Sequence, residues 1–369
     1  MSTPIRISRR TFNYTLLGVV ASLTACQSGT QTPPKADNAA PGASTAPAAS
    51  GGSVSLNGAG STFAAPMIQR CFFEYAKLHP EVQGNYQSIG SGGGIKQFTD
   101  GTVDFGASDA AMTDEQAAKV SRGVLFVPFT AGSEVLAYNL PGVQSGLKLS
   151  RKVYADMFLG KLTKWNDPQI AALNPGVKLP DIPVTIAHRS DGSGTTYIFT
   201  NHMSAISPEW KEKVGVNTAV SWPVGVGGKG NEGVTAQIQQ TAGAIGYIEY
   251  AYAVQNKISF AQLENKSGNY IEANPKTASN SLSQIKLPEN FRAFEPDPSG
   301  ADSYPIVGFV WLLVYKTGYT DAKKLDTLKD FIKWGLKDGQ KIAAEQLSYV
   351  PIPSSISDRV IAAIDQIKA

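Results

Sequence analysis

A glycine- and hydroxyl-rich stretch, Asp191-Gly-Ser-Gly-Thr-Thr-Tyr-Ile-Phe-Thr200, constrains the fold of this chain more than any other part of its sequence. It follows an apolar run at residues 183–188 and then Arg189, which predicts a strand, a tight turn and a helix start. The segment Ser193-Gly-Thr195 would then form the first helical turn, where backbone N–H groups lack intrahelical partners and the helix dipole is positive. With Arg189 beside it, we expect this turn to bind an anion.

Two similar turns occur earlier in the chain, at residues 58–63 and 90–94. The first, within Asn57-Gly-Ala-Gly-Ser-Thr-Phe63, follows a short strand at residues 53–56 and precedes a helical pattern at residues 64–78. Such turns are common in α/β proteins, so a single one would indicate little. Three of them, none with a cofactor fingerprint, favour an anion site to which several turns contribute.

The remaining pattern is that of an α/β protein. Residues 124–127, 134–139 and 243–249 are predicted strands, and the eleven-residue apolar run at residues 305–315 is too short for a membrane span and predicts a buried strand. Near the end of the chain, Thr320 or Asp321 is predicted to cap a helix that Gly339 can end, and a last helix is predicted at residues 357–368.

The N-terminus has the pattern of an export signal. Three arginines precede a short apolar stretch and Leu23-Thr-Ala-Cys26, which resembles a bacterial lipobox. We therefore predict a signal peptide at residues 1–25, lipid attachment at Cys26 and a disordered Ala/Pro/Ser tether at residues 26–53. An ordinary signal peptide with an incidental cysteine is the alternative, and Ser8-Arg-Arg-Thr-Phe12 leaves twin-arginine export open.

Composition excludes several classes of protein. The chain has 369 residues, 42% hydrophobic and 17% charged, and its net charge of +3 is too small to indicate nucleic-acid binding. The three histidines, at positions 79, 188 and 202, lack metal-ligand spacing, so we predict neither a metal nor a cofactor. Gly225-Val-Gly-Gly-Lys-Gly230 matches a dinucleotide fingerprint, but Pro223 disfavours the strand that should precede it. Cys71 lies in an apolar run and is a predicted buried thiol.

The sequence also disfavours an enzyme. Ser193 is not in a Gly-x-Ser-x-Gly elbow, because Asp191 occupies the first glycine position, and the chain has no ATP-binding P-loop. A serine hydrolase or phosphatase stays an alternative, as do a binding protein for sulfate or molybdate and a structural lipoprotein without a ligand.

Taken together, these motifs resemble the phosphate-binding receptors of bacterial ABC phosphate importers. The resemblance covers the chain from about residue 54 to its end. The matching blocks are Asn57-Gly-Ala-Gly-Ser-Thr-Phe63, Gly90-Ser-Gly-Gly-Gly94, Val103-Asp-Phe-Gly-Ala-Ser-Asp-Ala110, Arg189-Ser-Asp-Gly-Ser-Gly-Thr195, residues 222–233 and residues 243–252.

The resemblance implies a two-lobe periplasmic-binding-protein fold of the type II kind, with two hinge-connected α/β domains and the ligand in the cleft. Lobe 1 would comprise residues 54–132 and 305–369, and lobe 2 residues 133–304. The phosphate contacts carried over from the family are Thr62, Phe63, Ser91, Asp109, Arg189, Ser193, Gly194 and Thr195, with Phe63 contributing its backbone N–H and Asp191 holding Arg189.

Within this resemblance, Asp109 would discriminate between ligands. HPO4²⁻ and H2PO4⁻ can donate a proton to a carboxylate, whereas sulfate at neutral pH cannot. The chain departs from the family pattern at Gly92, where a second serine is frequent, and at His188, where a basic residue is frequent. Either departure can shift affinity without removing a contact.

The resemblance also implies partners and a location. The receptor would be a monomer that passes inorganic phosphate to a membrane permease driven by a cytoplasmic ATPase. It would be exported and held by its lipid anchor on the outer side of the cytoplasmic membrane or at the cell surface.

Overall fold

The computed structural model of the chain describes residues 53–369. The predicted signal peptide, Cys26 and the tether up to residue 52 lie outside the described residues. By its internal contacts, the rest of the chain forms one compact unit, Gly51–Ala369.

Strands and helices alternate along most of the described chain, which confirms the predicted α/β class. The strands are β1 (Val54–Gly60), β2 (Val82–Ser88), β3 (Phe105–Ser108), β4 (Val124–Tyr138), β5 (Lys148–Leu149), β6 (Thr185–Arg189), β7 (Val226–Gly228), β8 (Ala244–Glu249), β9 (Ser259–Phe260), β10 (Gln262–Glu264), β11 (Tyr270–Ile271) and β12 (Val307–Tyr315). The helices are α1 (Ala65–Leu78), α2 (Ser91–Thr99), α3 (Asp114–Ala118), α4 (Arg151–Phe158), α5 (Pro168–Leu173), α6 (Gly194–Ile206), α7 (Pro208–Lys213), α8 (Gly230–Gln240), α9 (Tyr250–Gln255), α10 (Pro275–Leu282), α11 (Ala322–Gly335), α12 (Asp338–Leu347) and α13 (Ser354–Asp365).

The main sheet has the strand order β2-β1-β3-β12-β4-β8-β6-β7, with β9 paired to β4 outside this path. On one side of β4, β12 runs antiparallel to both β4 and β3, while β1 is parallel to β2 and β3. On the other side, β8 is antiparallel to β4, and β6 is parallel to β8 and β7. Parallel strands end at the same sheet edge, so the turns after β1 and β3 lie side by side.

Strand β4 joins the two halves of this sheet. Its residues up to Ser133 pair with β12, and its residues from Glu134 onward pair with β8. The sequence predicted two separate strands at residues 124–127 and 134–139, which was wrong. The strand continues through Pro128 because β4 carries a bulge there: Val310 and Trp311 of β12 face Thr130 and Pro128, and Phe129 has no partner. Such a bulge accommodates a residue without a backbone N–H. The lobe boundaries themselves stay a prediction.

Strand β1 is longer than predicted, because it includes the first glycines of the turn and ends at Gly60. A Cβ atom at Gly58 would lie 2.1 Å from the ring of Phe105. At Gly60, where φ is +138°, it would lie 2.0 Å from the carbonyl oxygen of Ala107. These glycines therefore let β3 approach β1 closely, and only residues 61–64 form the turn before α1.

The C-terminal helices differ in part from the prediction. Of the two predicted caps, Asp321 is the N-cap of α11, since its side chain accepts a hydrogen bond from the backbone N–H of Lys324 at 3.0 Å. However, α11 ends at Gly335, and Gly339 lies inside the next helix, α12. Gly339 is buried there, and a Cβ atom added to it would lie 3.2 Å from the Sγ atom of Cys71. The small size of Gly339 thus allows α12 to pack closely against α1. From a single sequence, a glycine needed for such packing cannot be distinguished from a glycine that ends a helix.

The core of the described chain contains the predicted apolar positions. The run at β12 is buried at every residue, and Cys71 is fully buried, where burial raises the pKa of its thiol to about 12. Both observations confirm the sequence-based predictions. None of the helices in residues 53–369 is long and apolar enough to cross a lipid bilayer.

Candidate anion-binding site

The turn before α6 folds as predicted. Ser193 is the N-cap of α6, and its Oγ atom accepts a hydrogen bond from the backbone N–H of Thr196 at 2.9 Å. Gly194 and Thr195 form the start of the helix, and both are buried. Their N–H groups have no intrahelical partner, and they contribute to the positive potential at this end of the helix.

Turns from both halves of the sheet meet at this helix end. The backbone N–H of Gly92, in α2, donates to the carbonyl oxygen of Gly192 at 2.8 Å. A Cβ atom added to Gly194 would lie 2.5 Å from Ser91 Oγ and 2.6 Å from the Cβ of Asp109. Only glycine at position 194 allows this approach, which brings the starts of α2 and α6 together.

Arg189, at the end of β6, is the fixed positive charge of the site. Its Nε and Nη2 atoms donate to the two carboxylate oxygens of Asp191 at 2.8 and 2.6 Å, and Nη1 donates to Thr195 Oγ1 at 3.1 Å. Burial opposes ionisation of Asp191, but the hydrogen bonds from Arg189 and from the N–H of Gly230 hold its pKa below the usual value. The pKa of Arg189 stays raised despite burial because of this pairing. The guanidinium is therefore charged and held in one orientation.

Asp109 is a buried carboxyl group beside that guanidinium. Ser61 Oγ donates to its Oδ1, Thr195 Oγ1 donates to its Oδ2 at 3.4 Å, and its backbone N–H donates to Ser91 Oγ at 3.2 Å. Burial raises the pKa of Asp109 to about 6, although the hydrogen bond from Ser61 and the charge of Arg189 act in the opposite direction. The group is thus ionised at neutral pH and takes up a proton under mildly acidic conditions.

Thr62 and Phe63 approach the site differently. Thr62 Oγ1 accepts hydrogen bonds from the backbone N–H and the Nδ2 of Asn231 at 3.1 and 2.8 Å. The ring of Phe63 is buried in the core, and its carbonyl oxygen accepts from the hydroxyl of Tyr349 at 2.5 Å. The ring and the carbonyl oxygen of Phe63 are thus engaged within the protein, and its backbone N–H stays the predicted contact to a ligand.

The structure adds Asn231 to the residues expected from the sequence. Its Nδ2 also donates to Thr195 Oγ1 at 3.2 Å, and its Oδ1 accepts from the backbone N–H of Glu249 at 2.9 Å. One amide thus links Thr62 to Thr195. The sequence signal was present, because Asn231 lies in the matching block at residues 222–233, but nothing in the block marks this residue among its glycines.

Tyr252 and Ser61 were also missed. The Tyr252 hydroxyl lies 2.7 Å from the carbonyl oxygen of Thr62 and 3.0 Å from Glu232 Oε1, and it shares its one proton between these two acceptors. Glu232 Oε1 in turn accepts from Ser88 Oγ at 3.0 Å. These contacts connect β2 and the turn after β1 with α8 and α9, so they hold the two sides of the site together.

His188, one of the two departures from the family pattern, is a packed residue. Its ring stacks on Trp222 with centroids 4.7 Å apart, and Nδ1 lies 3.0 Å from the carbonyl oxygen of Arg189. Burial lowers its pKa, so the ring is neutral at neutral pH. Among residues 53–369, no three His, Cys, Asp or Glu side chains are arranged to hold a metal ion.

Comparisons with known proteins show the family of this chain. Residues 40–338 match the model of the PBP superfamily domain. A phosphate-binding protein PstS from Xylella fastidiosa is 42% identical over 312 residues, which cover 84% of this chain and 84% of that protein. The chain belongs to the family of PstS phosphate-binding proteins.

A more distant member of the family, the phosphate-binding protein PstS of Methanocaldococcus jannaschii, is 38% identical over 331 residues, covering 84% of this chain and 85% of that protein. Among solved structures, a phosphate-binding protein from Stenotrophomonas maltophilia superposes with a TM-score of 0.65 at 16% identity. That match covers 84% of this chain and 93% of the other. It supports the periplasmic-binding-protein fold, and membership of the family makes the chain a binding protein and not an enzyme.

Proposed function

We propose that this chain binds inorganic phosphate and delivers it to an ABC permease for import. The observation that carries the proposal is the placement of a buried carboxyl group, Asp109, beside Arg189 and the starts of α2 and α6. Its relatives are named phosphate-binding proteins, and the donors of the site suit a tetrahedral oxyanion.

The contacts proposed for phosphate are the eight predicted from the sequence. Thr62, Phe63, Ser91, Ser193, Gly194 and Thr195 would supply neutral donors, and Arg189 the charge. A hydrogen bond to a charged group contributes roughly 1.5–3 kcal/mol net, so a few of them exceed the cost of association.

Asp109 would select for a ligand that carries a proton. An ionised carboxylate accepts the P–OH proton of phosphate, whereas a sulfate oxygen facing it would leave two unpaired acceptors in contact. This carboxyl is what distinguishes a phosphate site from a site for any oxyanion, such as sulfate or molybdate.

The same proposal includes a location and a motion. The chain would work on the outer side of the cytoplasmic membrane, held there through Cys26, with a permease and its ATPase as partners. Residues 54–132 with 305–369 and residues 133–304 would form two lobes that close on the ligand, with β4 among the connections between them.

Isothermal titration of the purified protein with phosphate and with sulfate tests the proposal. We expect micromolar or tighter binding of phosphate and at least about a hundredfold weaker binding of sulfate. Equal affinity for both anions would contradict the specificity, and no binding of either would contradict the function. Turnover of p-nitrophenyl phosphate by the same sample would instead indicate a phosphatase.

A further inference from the structure

Glu134 is a buried carboxyl group to which neither the sequence nor the proposed phosphate contacts assign a role. It lies on β4, its side chain is fully buried, and neither carboxylate oxygen has a hydrogen-bond partner within residues 53–369. Two other carboxyl groups near the site are paired: the buried Asp109 with Ser61, and the partly buried Asp191 with Arg189. An ionised carboxylate without partners is strongly disfavoured away from water.

The backbone holds Glu134 in this place. Its N–H donates to the carbonyl oxygen of Ile306 at 3.0 Å, and in the antiparallel pair of β4 and β8 its Cα partner is Glu249. Residues directly opposite in such a pair have their side chains on the same face of the sheet. Glu249 is itself buried, and its Oε1 has no partner in the described part of the chain. Two carboxyl groups therefore lie side by side at the strand that joins the sheet halves.

The groups that act on Glu134 electrostatically include members of the candidate phosphate site. These groups are Asp109 after β3, Arg189 on β6, Tyr247 and Glu249 on β8, and Tyr304 before β12. Burial raises the pKa of Glu134 well above its ordinary value, Asp109 and Glu249 raise it further, and Arg189 opposes them. Arg189 is the one cation among these groups, and Asp191 already pairs with it.

We propose that Glu134 is an affinity-determining residue whose uncharged form is required for tight phosphate binding. The inference rests on the proposed function of the same site. An ionised Glu134 would add a carboxylate within the electrostatic reach of Arg189 and Asp109, and it would oppose the entry of a phosphate anion. When Glu134 is neutral, the charge of Arg189 remains available to the ligand.

Thermodynamic linkage between proton binding and phosphate binding gives the direction in which phosphate affinity changes with pH. A bound anion disfavours ionisation of Glu134, so binding takes up a proton wherever free Glu134 is partly ionised. Phosphate affinity is therefore full below the folded-state pKa of Glu134 and falls as the pH rises through it. The fall comes in addition to any change in the protonation of phosphate itself.

Comparison of the wild type with Glu134→Gln separates the two effects, because both proteins meet the same phosphate at each pH. The dissociation constant of each is measured by calorimetry from about pH 6 to about pH 9.5. We expect the wild-type constant to rise relative to that of the variant at the alkaline end, approaching tenfold for each pH unit above the pKa. A ratio that stays constant across the whole range overturns the inference.

Controls keep the inference distinct from the proposed function. Glu289→Gln removes the same charge from an exposed position and is expected to leave the wild-type pH profile unchanged. If Glu134→Gln does not fold, titration of the wild type in two buffers of different ionisation enthalpy decides. Proton uptake on binding at the alkaline end supports the inference, and no uptake contradicts it. A wild type that binds no phosphate at any pH contradicts the proposed function instead.

Discussion

At the scale of single residues, Arg189 and Asp109 make opposite contributions to one site. Arg189 is held by the two hydrogen bonds that it donates to Asp191, and its third nitrogen donates to Thr195. Asp109 accepts hydrogen bonds from Ser61 and Thr195, and burial shifts its titration toward neutral pH. A fixed guanidinium beside a carboxyl group that titrates near neutral pH suits a ligand that is negatively charged and also carries a proton.

Replacing Arg189 tests whether its positive charge contributes to phosphate binding. We expect Arg189→Ala to weaken phosphate binding by at least about tenfold, since tenfold corresponds to only 1.4 kcal/mol. Arg189→Lys keeps the charge but loses the planar fork that matches Asp191, and it should fall between the alanine variant and the wild type. Calorimetric dissociation constants measure both changes, and an unchanged constant for Arg189→Ala would show that the ligand binds elsewhere.

The titration of Asp109 predicts that the affinity for sulfate depends on pH. Below its pKa of about 6 the carboxyl group is protonated and becomes a hydrogen-bond donor, which a sulfate oxygen can accept. Sulfate binding should therefore strengthen as the pH falls through about 6, although sulfate itself does not change its protonation there. The measurement is a series of sulfate titrations between mildly acidic and neutral pH.

Asp109→Asn is the matched control for that series. Its amide is a donor at every pH and has the same shape, so sulfate binding should be stronger than in the wild type at neutral pH and independent of pH. If the wild type and the variant give parallel sulfate profiles, Asp109 does not make the discrimination.

At the scale of secondary-structure elements, the close approach of α2 and α6 depends on Gly194. An alanine there would place its Cβ 2.5 Å from Ser91 Oγ, whereas an alanine at Gly92 would lie 3.1 Å from the Cα of Gly192. We expect Gly194→Ala to weaken phosphate binding by about tenfold or more, and Gly92→Ala to have the smaller effect. Neither change should lower the melting temperature by more than a few degrees, because alanine is favoured over glycine within helices.

Phosphate titrations and thermal unfolding of the two variants distinguish a steric effect at the site from a general loss of stability. Equal effects of both substitutions on binding would contradict the assigned role of Gly194. A large drop in melting temperature without ligand would mean that Gly194 serves the fold and not the closed site.

The elements also show what the sequence can and cannot predict. The strand–turn–helix unit around Ser193 was predictable because its apolar run, glycines and capping hydroxyl follow one another in the chain. The continuity of β4 was not predictable, because Pro128 indicates a strand end unless the bulge at Phe129 is known. The helix assigned to end at Gly339 failed for a similar reason, since a glycine that packs against Cys71 looks like a cap.

At the scale of the whole molecule, the site is completed by contacts between segments far apart in the sequence. Asn231 reaches Thr62 across 169 positions, and Tyr252 reaches the same residue across 190. The individual turns were predictable from local patterns and from the family resemblance. Their partners were not, because an asparagine or a tyrosine in a loop has no local signature of a long-range hydrogen bond.

Tyr252→Phe tests these long-range contacts. Loss of the hydroxyl removes the hydrogen bond that it shares between the Thr62 carbonyl and Glu232, worth about 1 kcal/mol net. We expect faster phosphate release and an affinity reduced by roughly threefold to thirtyfold, measured by stopped-flow tryptophan fluorescence and calorimetry. Tyr250→Phe, two residues away, makes the same chemical change outside this set of contacts and should behave as the wild type. Equal release rates for Tyr252→Phe and the wild type would refute the role of these contacts in holding the site closed.

The most direct measurement for the whole account is a crystal structure of the protein grown with phosphate. Electron density for the anion should lie between the turn after β1, the start of α2 and the start of α6, with its oxygens about 3 Å from Thr62, Ser91, Arg189 and Ser193. One phosphate oxygen should approach Asp109 at hydrogen-bond distance, which requires a proton between them. Phosphate bound in a place lined by other residues, or at this place with Asp109 turned away from it, would contradict the account.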